Sequence, residues 1–167
     1  MKRTEMEYQK IAWEGDLDTG IQLIDSQHKE FIKLVNNLLD CSVISDDNQA
    51  LLKAFSFLRH YICEHFSVEE TAMITYGYPF YKMHKNVHDS FREEINAMEL
   101  SLRAKTNQHD VLIKLNYLIV NWFMNHIKVE DRKLCGYLAL QAQNRNEDLG
   151  GRLDQIVSVF FKLGESA

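Results

Sequence analysis

The chain has one proline, Pro79, and only seven glycines in 167 residues. A sheet-rich fold needs such residues at most of its turns, so their scarcity excludes an all-β architecture and points to long helices. Cysteine is scarce as well. Cys41, Cys63 and Cys135 are odd in number, far apart and form no CxxC pair, which excludes a disulfide framework and fits reduced thiols in a cytosolic protein. No apolar run approaches the ~18 residues that cross a bilayer, and Met1 is followed by charged residues where a signal peptide would have an apolar core. The formal net charge of -5, with both signs interspersed, leaves no basic stripe for nucleic acid. The chain therefore reads as soluble and cytoplasmic, with neither a nucleic-acid nor a membrane partner. Its 46% hydrophobic content is enough for one well-buried core.

What is present is apolar periodicity at steps of three and four. The first segment, over roughly 20–40, carries Ile24, His28, Phe31, Val35 and Leu38 on one face. The second, over roughly 47–75, carries Leu51, Phe55, Leu58, Ile62, His65, Glu69 and Met73, with Asp46, Asp47 and Asn48 available as its N-terminal cap. After the turn "YGYP", a third segment starts near Pro79, a residue well suited to the first helical position, and carries Phe80, His84, His88, Phe91, Ile95, Met98 and Leu102. The fourth, over roughly 108–138, carries Leu112, Leu115, Ile119, Trp122, His126 and Val129. Short connections make neighbours antiparallel, so the expected fold is all-α, an up-down-up-down four-helix bundle. Upstream lies an irregular N-terminal arm, with Trp13 expected to anchor it across one end of the bundle. Downstream, Leu149, Leu153, Ile156, Phe160 and Leu163 repeat at helical spacing and predict an extra C-terminal amphipathic helix. We expect residues 1–140 to form the bundle and 141–167 a helical extension, either packed on it as one domain or offered to a protein partner or a second copy.

Five of the seven histidines, His28, His65, His84, His88 and His126, fall on bundle-facing stripes. His60 and His109 do not and are expected at the surface. A single core histidine is ordinarily a hydrogen-bonded one. Five sharing an interior are different, because each unpaired buried polar group costs about 1–3 kcal/mol and metal coordination satisfies all of them together. Glu69 follows His65 by four residues, about 40° away on the same face. Asp131 follows His126 by five, about 140° away on an ideal helix, and joins the group only if it bridges to a second, displaced ion or if the helix is overwound or bulged there. Five imidazoles and two carboxylates with no thiolate suit iron or another borderline first-row ion and exceed the needs of one tetrahedral zinc. Two six-coordinate ions offer about twelve positions; five imidazoles, two bridging carboxylates and a bridging oxide or hydroxide leave one open.

The segments "IDSQHKEF", "HFSVEETAM", "GYPFYKMHKNVHDSF" and "NWFMNHIKVED" resemble the hemerythrin pattern in order, residue type and spacing, that of the bacterial hemerythrins in particular. The upstream "IAWEGDLDTGIQLID" is similar to the family's N-terminal arm with its tryptophan. The resemblance implies two iron ions, one held by His84, His88 and His126 and the other by His28 and His65, bridged by Glu69, Asp131 and an oxide or hydroxide. It implies dioxygen as the ligand, bound at the iron with two histidines in an apolar pocket, for which Ile24, Ile62, Trp122 and Phe123 are the candidates. Asp25 is expected either to orient an imidazole or to be an exposed acid at a helix start. The implied function is reversible dioxygen binding for storage, delivery or scavenging, with no enzymatic role. A sensor of oxygen, redox state or nitric oxide, signalling through the C-terminal helix, is the alternative. A di-iron oxidase fits less well, since such bundles carry Glu-x-x-His pairs and this chain contains none.

Overall fold

The computed structural model describes residues 10–44, 48–104 and 107–164. Among them there is no strand. The arm contains one 3-10 turn, Gly15–Leu17. Helices α1 (Gln22–Ile44), α2 (Asn48–Tyr76) and α3 (Tyr81–Arg103) follow, and then α4, a continuous helical run built from Gln108–Leu118, Ile119–Phe123, Met124–His126, Ile127–Asp131 and Arg132–Arg145. A fifth helix, α5 (Leu149–Gly164), ends the described chain. The first four form the expected up-down-up-down bundle, and α5 packs across α1, α2 and the end of α4. The cap expected from Asp46 and Asp47 lies outside the described residues, as do the side chains of Asn48, Cys41, Phe160 and Leu163.

The turns explain where the helices stop. Gly77, at φ +69, takes the left-handed conformation that ends α2; Tyr78 N–H reaches back to Met73 O at 2.8 Å and Gly77 N–H to Ile74 O at 3.2 Å. This double bond pattern satisfies the last carbonyls of the helix. Asn146, at φ 53, ends α4 in the same way, with Glu147 N–H on Ala142 O at 2.9 Å. Asn107 caps the start of α4 by accepting from His109 N–H at 3.2 Å. Two expectations are corrected here. Pro79 does not open α3; Tyr81 N–H is bonded to Tyr78 O, so Pro79 lies in the turn and the helix begins two residues later. The fourth helix runs to Arg145 and not to about 138, because nothing before Asn146 breaks it.

The core consists of two apolar clusters. One gathers Phe31, Phe55, Ile62, Phe66, Phe91, Ile119, Phe123 and Ile127; the other gathers Ile24, Ala72, Met73, Tyr76, Leu134, Cys135, Leu138 and Leu153. Along α1 the order is Ile24, His28, Phe31; along α2 it is Ile62, His65, Glu69, Met73. The ligand-type residues thus form a polar layer between two apolar blocks. Leu153 of α5 is fully buried in the second block, with Leu149, Ile156 and Val157 packed around it.

Candidate metal centre

All five stripe histidines are buried, as are Glu69 and Asp131. Their ligand atoms fall into two groups, each within a 4.8 Å span: Glu69, His84, His88, His126 and Asp131 in one, and His28, His65, Glu69 and Asp131 in the other. The Nε2 atoms point at one another, 3.1 Å apart for His28 and His65, 3.1 Å for His88 and His126, and 3.3 Å for His84 and His126. Each carboxylate turns one oxygen to each group. Asp131 Oδ1 lies 2.9 Å from His126 Nε2 and 3.2 Å from His84 Nε2, while Oδ2 lies 3.2 Å from His28 Nε2. Glu69 Oε2 lies 3.2 Å from His88 Nε2, while Oε1 faces His65 Nε2 at 3.7 Å.

Asp131 reaches this position because α4 is not α-helical throughout. Ile119–Phe123 and Ile127–Asp131 are π-helical turns, with one residue more per turn than the α form. Five residues then complete about one turn, which sets Asp131 directly below His126. The bulge, and not overwinding, is the local change, and it brings Asp131 into both groups of ligand-type atoms. It also redistributes the stripe: Phe123 and Ile127 are fully buried, whereas Trp122 and Val129 are half-buried.

The cluster buries polar atoms that a bound cation would satisfy. Neither oxygen of Glu69 nor of Asp131 has a hydrogen-bond partner among the described residues, although all are buried. Burial, reinforced by neighbouring His28, pushes His65 well below the ordinary imidazole range; burial together with His126 and His84 does the same to His88. Burial and the charge of Asp131 push the Glu69 carboxyl well above its usual range. Burial also opposes ionisation of Asp131, but the surrounding imidazoles, His126 foremost, hold it well below the carboxylate range. The result is a set of imidazole nitrogens and carboxylate oxygens converging on two points, the donor set of borderline divalent or trivalent metal ions. The residues fit two ions.

The other named residues are dispersed around this layer. Phe123 presents its ring to His28 edge-on at 5.8 Å and packs on Phe31 at 4.2 Å. Ile62 is buried in the same block. Trp122 stacks on His126 at 4.6 Å and 11°, on the side with three histidines, and Ile24 belongs to the opposite block. Asp25 is buried, neither exposed nor touching an imidazole; its Oδ1 accepts from Thr19 N–H at 2.9 Å and Thr19 Oγ1–H at 2.7 Å, fastening the arm to α1. Trp13 does more than close a bundle end, since its ring lies 6.3 Å from that of His28. His60 and His109 are exposed, as expected. The sequence reading missed Gln27, whose Oε1 lies 2.9 Å from His65 Nδ1, Glu70, whose Oε1 lies 3.0 Å from His88 Nδ1, and Phe66, stacked on His88 at 3.8 Å. Each meets a histidine carried by another helix, so spacing within one helix gives no signal.

A four-helix bundle with paired carboxylates and buried imidazoles in its middle layer defines a metal-binding helical bundle. The Hemerythrin HHE cation binding domain profile matches residues 19–138, and the chain belongs to the hemerythrin family. It is similar to a bacteriohemerythrin of Pseudomonas aeruginosa (strain LESB58), 31% identical over 156 residues that cover 90% of this chain and 97% of that one. A bacteriohemerythrin of Stenotrophomonas maltophilia is 29% identical over 153 residues, with the same coverage. A match over 90% of the chain necessarily runs past Arg145. A solved wild-type hemerythrin superposes with a TM-score of 0.69 at 26% identity, covering 78% of this chain and 99% of that one.

Proposed function

We propose that this chain binds dioxygen reversibly at a non-haem di-iron centre and is not an enzyme. In this reading His84, His88 and His126 hold one iron, His28 and His65 the other, and Glu69 and Asp131 bridge them beside an oxide or hydroxide. The observation that carries it is the unequal division of donors around two shared carboxylates: five side chains converge at one position and four at the other. With one bridging oxygen added, a six-coordinate ion is complete at the first position and has one vacancy at the second. When bound, the paired irons would supply two electrons and that single vacancy for a small ligand. The protein does the rest. Glu69 and Asp131 fix the spacing of the ions, the imidazoles keep the site's charge low, and Phe123, Phe31 and Ile62 exclude water from the two-histidine side.

The direct test is spectroscopic. Reduced, iron-loaded protein is expected to gain a visible charge-transfer band in oxygen and lose it under argon, over repeated cycles. Oxidation within seconds with no recoverable band would sink the reading. No helix of the described residues is long and apolar enough to cross a membrane. We further infer that 141–167 belongs to the same domain as 1–140, which the burial of Leu153 and the packing of α5 on α1 and α2 support.

A further inference from the structure

The two ends of the centre differ in what grips the far side of the imidazole ring. At the three-histidine end, His88 Nδ1 faces Glu70 Oε1 at 3.0 Å. Arg92 Nη1–H donates to that same oxygen at 2.8 Å and to Asp89 Oδ1 at 2.9 Å, and the other Asp89 oxygen accepts from Lys85. Four charged side chains on α2 and α3 thus form a chain ending on one ligand. At the two-histidine end, His65 Nδ1 faces Gln27 Oε1 at 2.9 Å, a neutral amide. A ligand imidazole that donates its outer N–H to a carboxylate becomes more basic and favours the higher oxidation state of its metal, whereas an amide acceptor does so less.

We propose that Glu70, held in place by Arg92, is a positioning residue that makes the three-histidine iron the easier one to oxidise, so that a single electron reaching the diferric pair settles on the two-histidine iron. This rests on the di-iron reading above. The first electron then goes to the position with the vacancy, and readiness for a ligand is built at that end first.

The test is a mediated electrochemical titration of iron-loaded protein, with dithionite as reductant and Mössbauer spectra at the one-electron point. In wild type the two one-electron steps are expected to be separated and the ferrous signal to be that of the five-coordinate iron. Glu70→Gln keeps an acceptor but removes the charge. It is expected to retain two irons per chain and to bring the steps together by tenfold or more in the equilibrium constant, about 59 mV for one electron. Gln27→Glu gives the other end a carboxylate and should narrow the gap as well, while Glu70→Asp restores part of it. Full iron with an unchanged gap in both Glu70→Gln and Gln27→Glu overturns the inference alone. Wild-type protein that binds no iron overturns the di-iron reading and this inference with it.

Discussion

The three-histidine and two-histidine ends of the polar layer differ in how closely aromatic rings pack on their imidazoles. At the first, Phe66 lies flat on His88 at 3.8 Å and 3°, Trp122 lies flat on His126 at 4.6 Å and 11°, and Arg92 covers the outer face of Phe66 at 5.0 Å. At the second, His28 has Phe123 edge-on at 5.8 Å and Trp13 of the arm at 6.3 Å. Two imidazoles at the first end have aromatic rings stacked close on them, whereas His28 at the second meets a ring edge and, farther off, a residue of the arm. On the proposed di-iron reading, the tighter end anchors and the looser end is where a small ligand enters.

The largest expected effect comes from erasing the comparison altogether. Asp131→Ala removes the carboxylate shared by both ends, and iron at both positions is expected to be lost. His65→Ala should spare the three-histidine position. Iron-to-protein ratios separate the two outcomes, and retention of both irons in Asp131→Ala would refute the bridging assignment. Next in size, Phe123→Ala opens the looser wall. It should destabilise the fold by about 3–5 kcal/mol, as truncation of a fully buried phenylalanine does, and shorten the life of the oxygenated form. Urea unfolding and the decay of the visible band measure the two parts; an unchanged decay would place the wall elsewhere.

A further effect is expected from pH alone, in iron-free protein. His65, at the loose end, and His88, at the tight one, are both held well below the ordinary value of 6.5 by burial first and neighbouring imidazoles second. Below 6.5 the unfolded chain therefore binds protons that the folded chain does not, so this contribution to stability is present above that pH and is lost as the pH falls. Melting temperatures of chelated protein should drop on acidification through this range. Glu69 has the opposite sign, being raised by burial and by Asp131, so iron uptake should release its proton and strengthen as pH rises. The smallest change is Trp13→Ala, which removes one partly buried ring. About 1 kcal/mol of stability is expected to go with it, together with faster loss of oxygenated protein. Equal oxygenated lifetimes in this variant and wild type would show that the arm does not close the looser end.

Much of this was legible in the sequence because the ligand-type residues sit on apolar stripes, where a histidine is conspicuous. His28, His65, His84, His88 and His126 needed only the helical period to be placed together, and Glu69 follows from its four-residue distance to His65. Asp131 was legible only as an anomaly, since five residues is the wrong interval for an α-helix and the sequence carries no mark of a π turn. Trp122 was placed by the same α period, one turn before His126, and it stacks on that ring. Asp25 misled because its partner, Thr19, lies in the irregular arm, where no periodicity applies. Gln27, Glu70 and Arg92 meet their histidines across helix pairs, a relation fixed by packing angle and register alone.

The π turns let α4 absorb a change in length that a straight α-helix would not. Deleting any one residue between Ile127 and Glu130 would let the segment close as an ordinary α-helix with the carboxylate four places after His126, about 40° away on the same face. In an unbroken α-helix the same deletion would turn everything downstream by about 100°. Here the lost bulge takes up the change, and Leu134, Leu138 and the seat of α5 keep their side of the helix. A relative without the extra residue is therefore expected to carry its carboxylate at that four-residue interval.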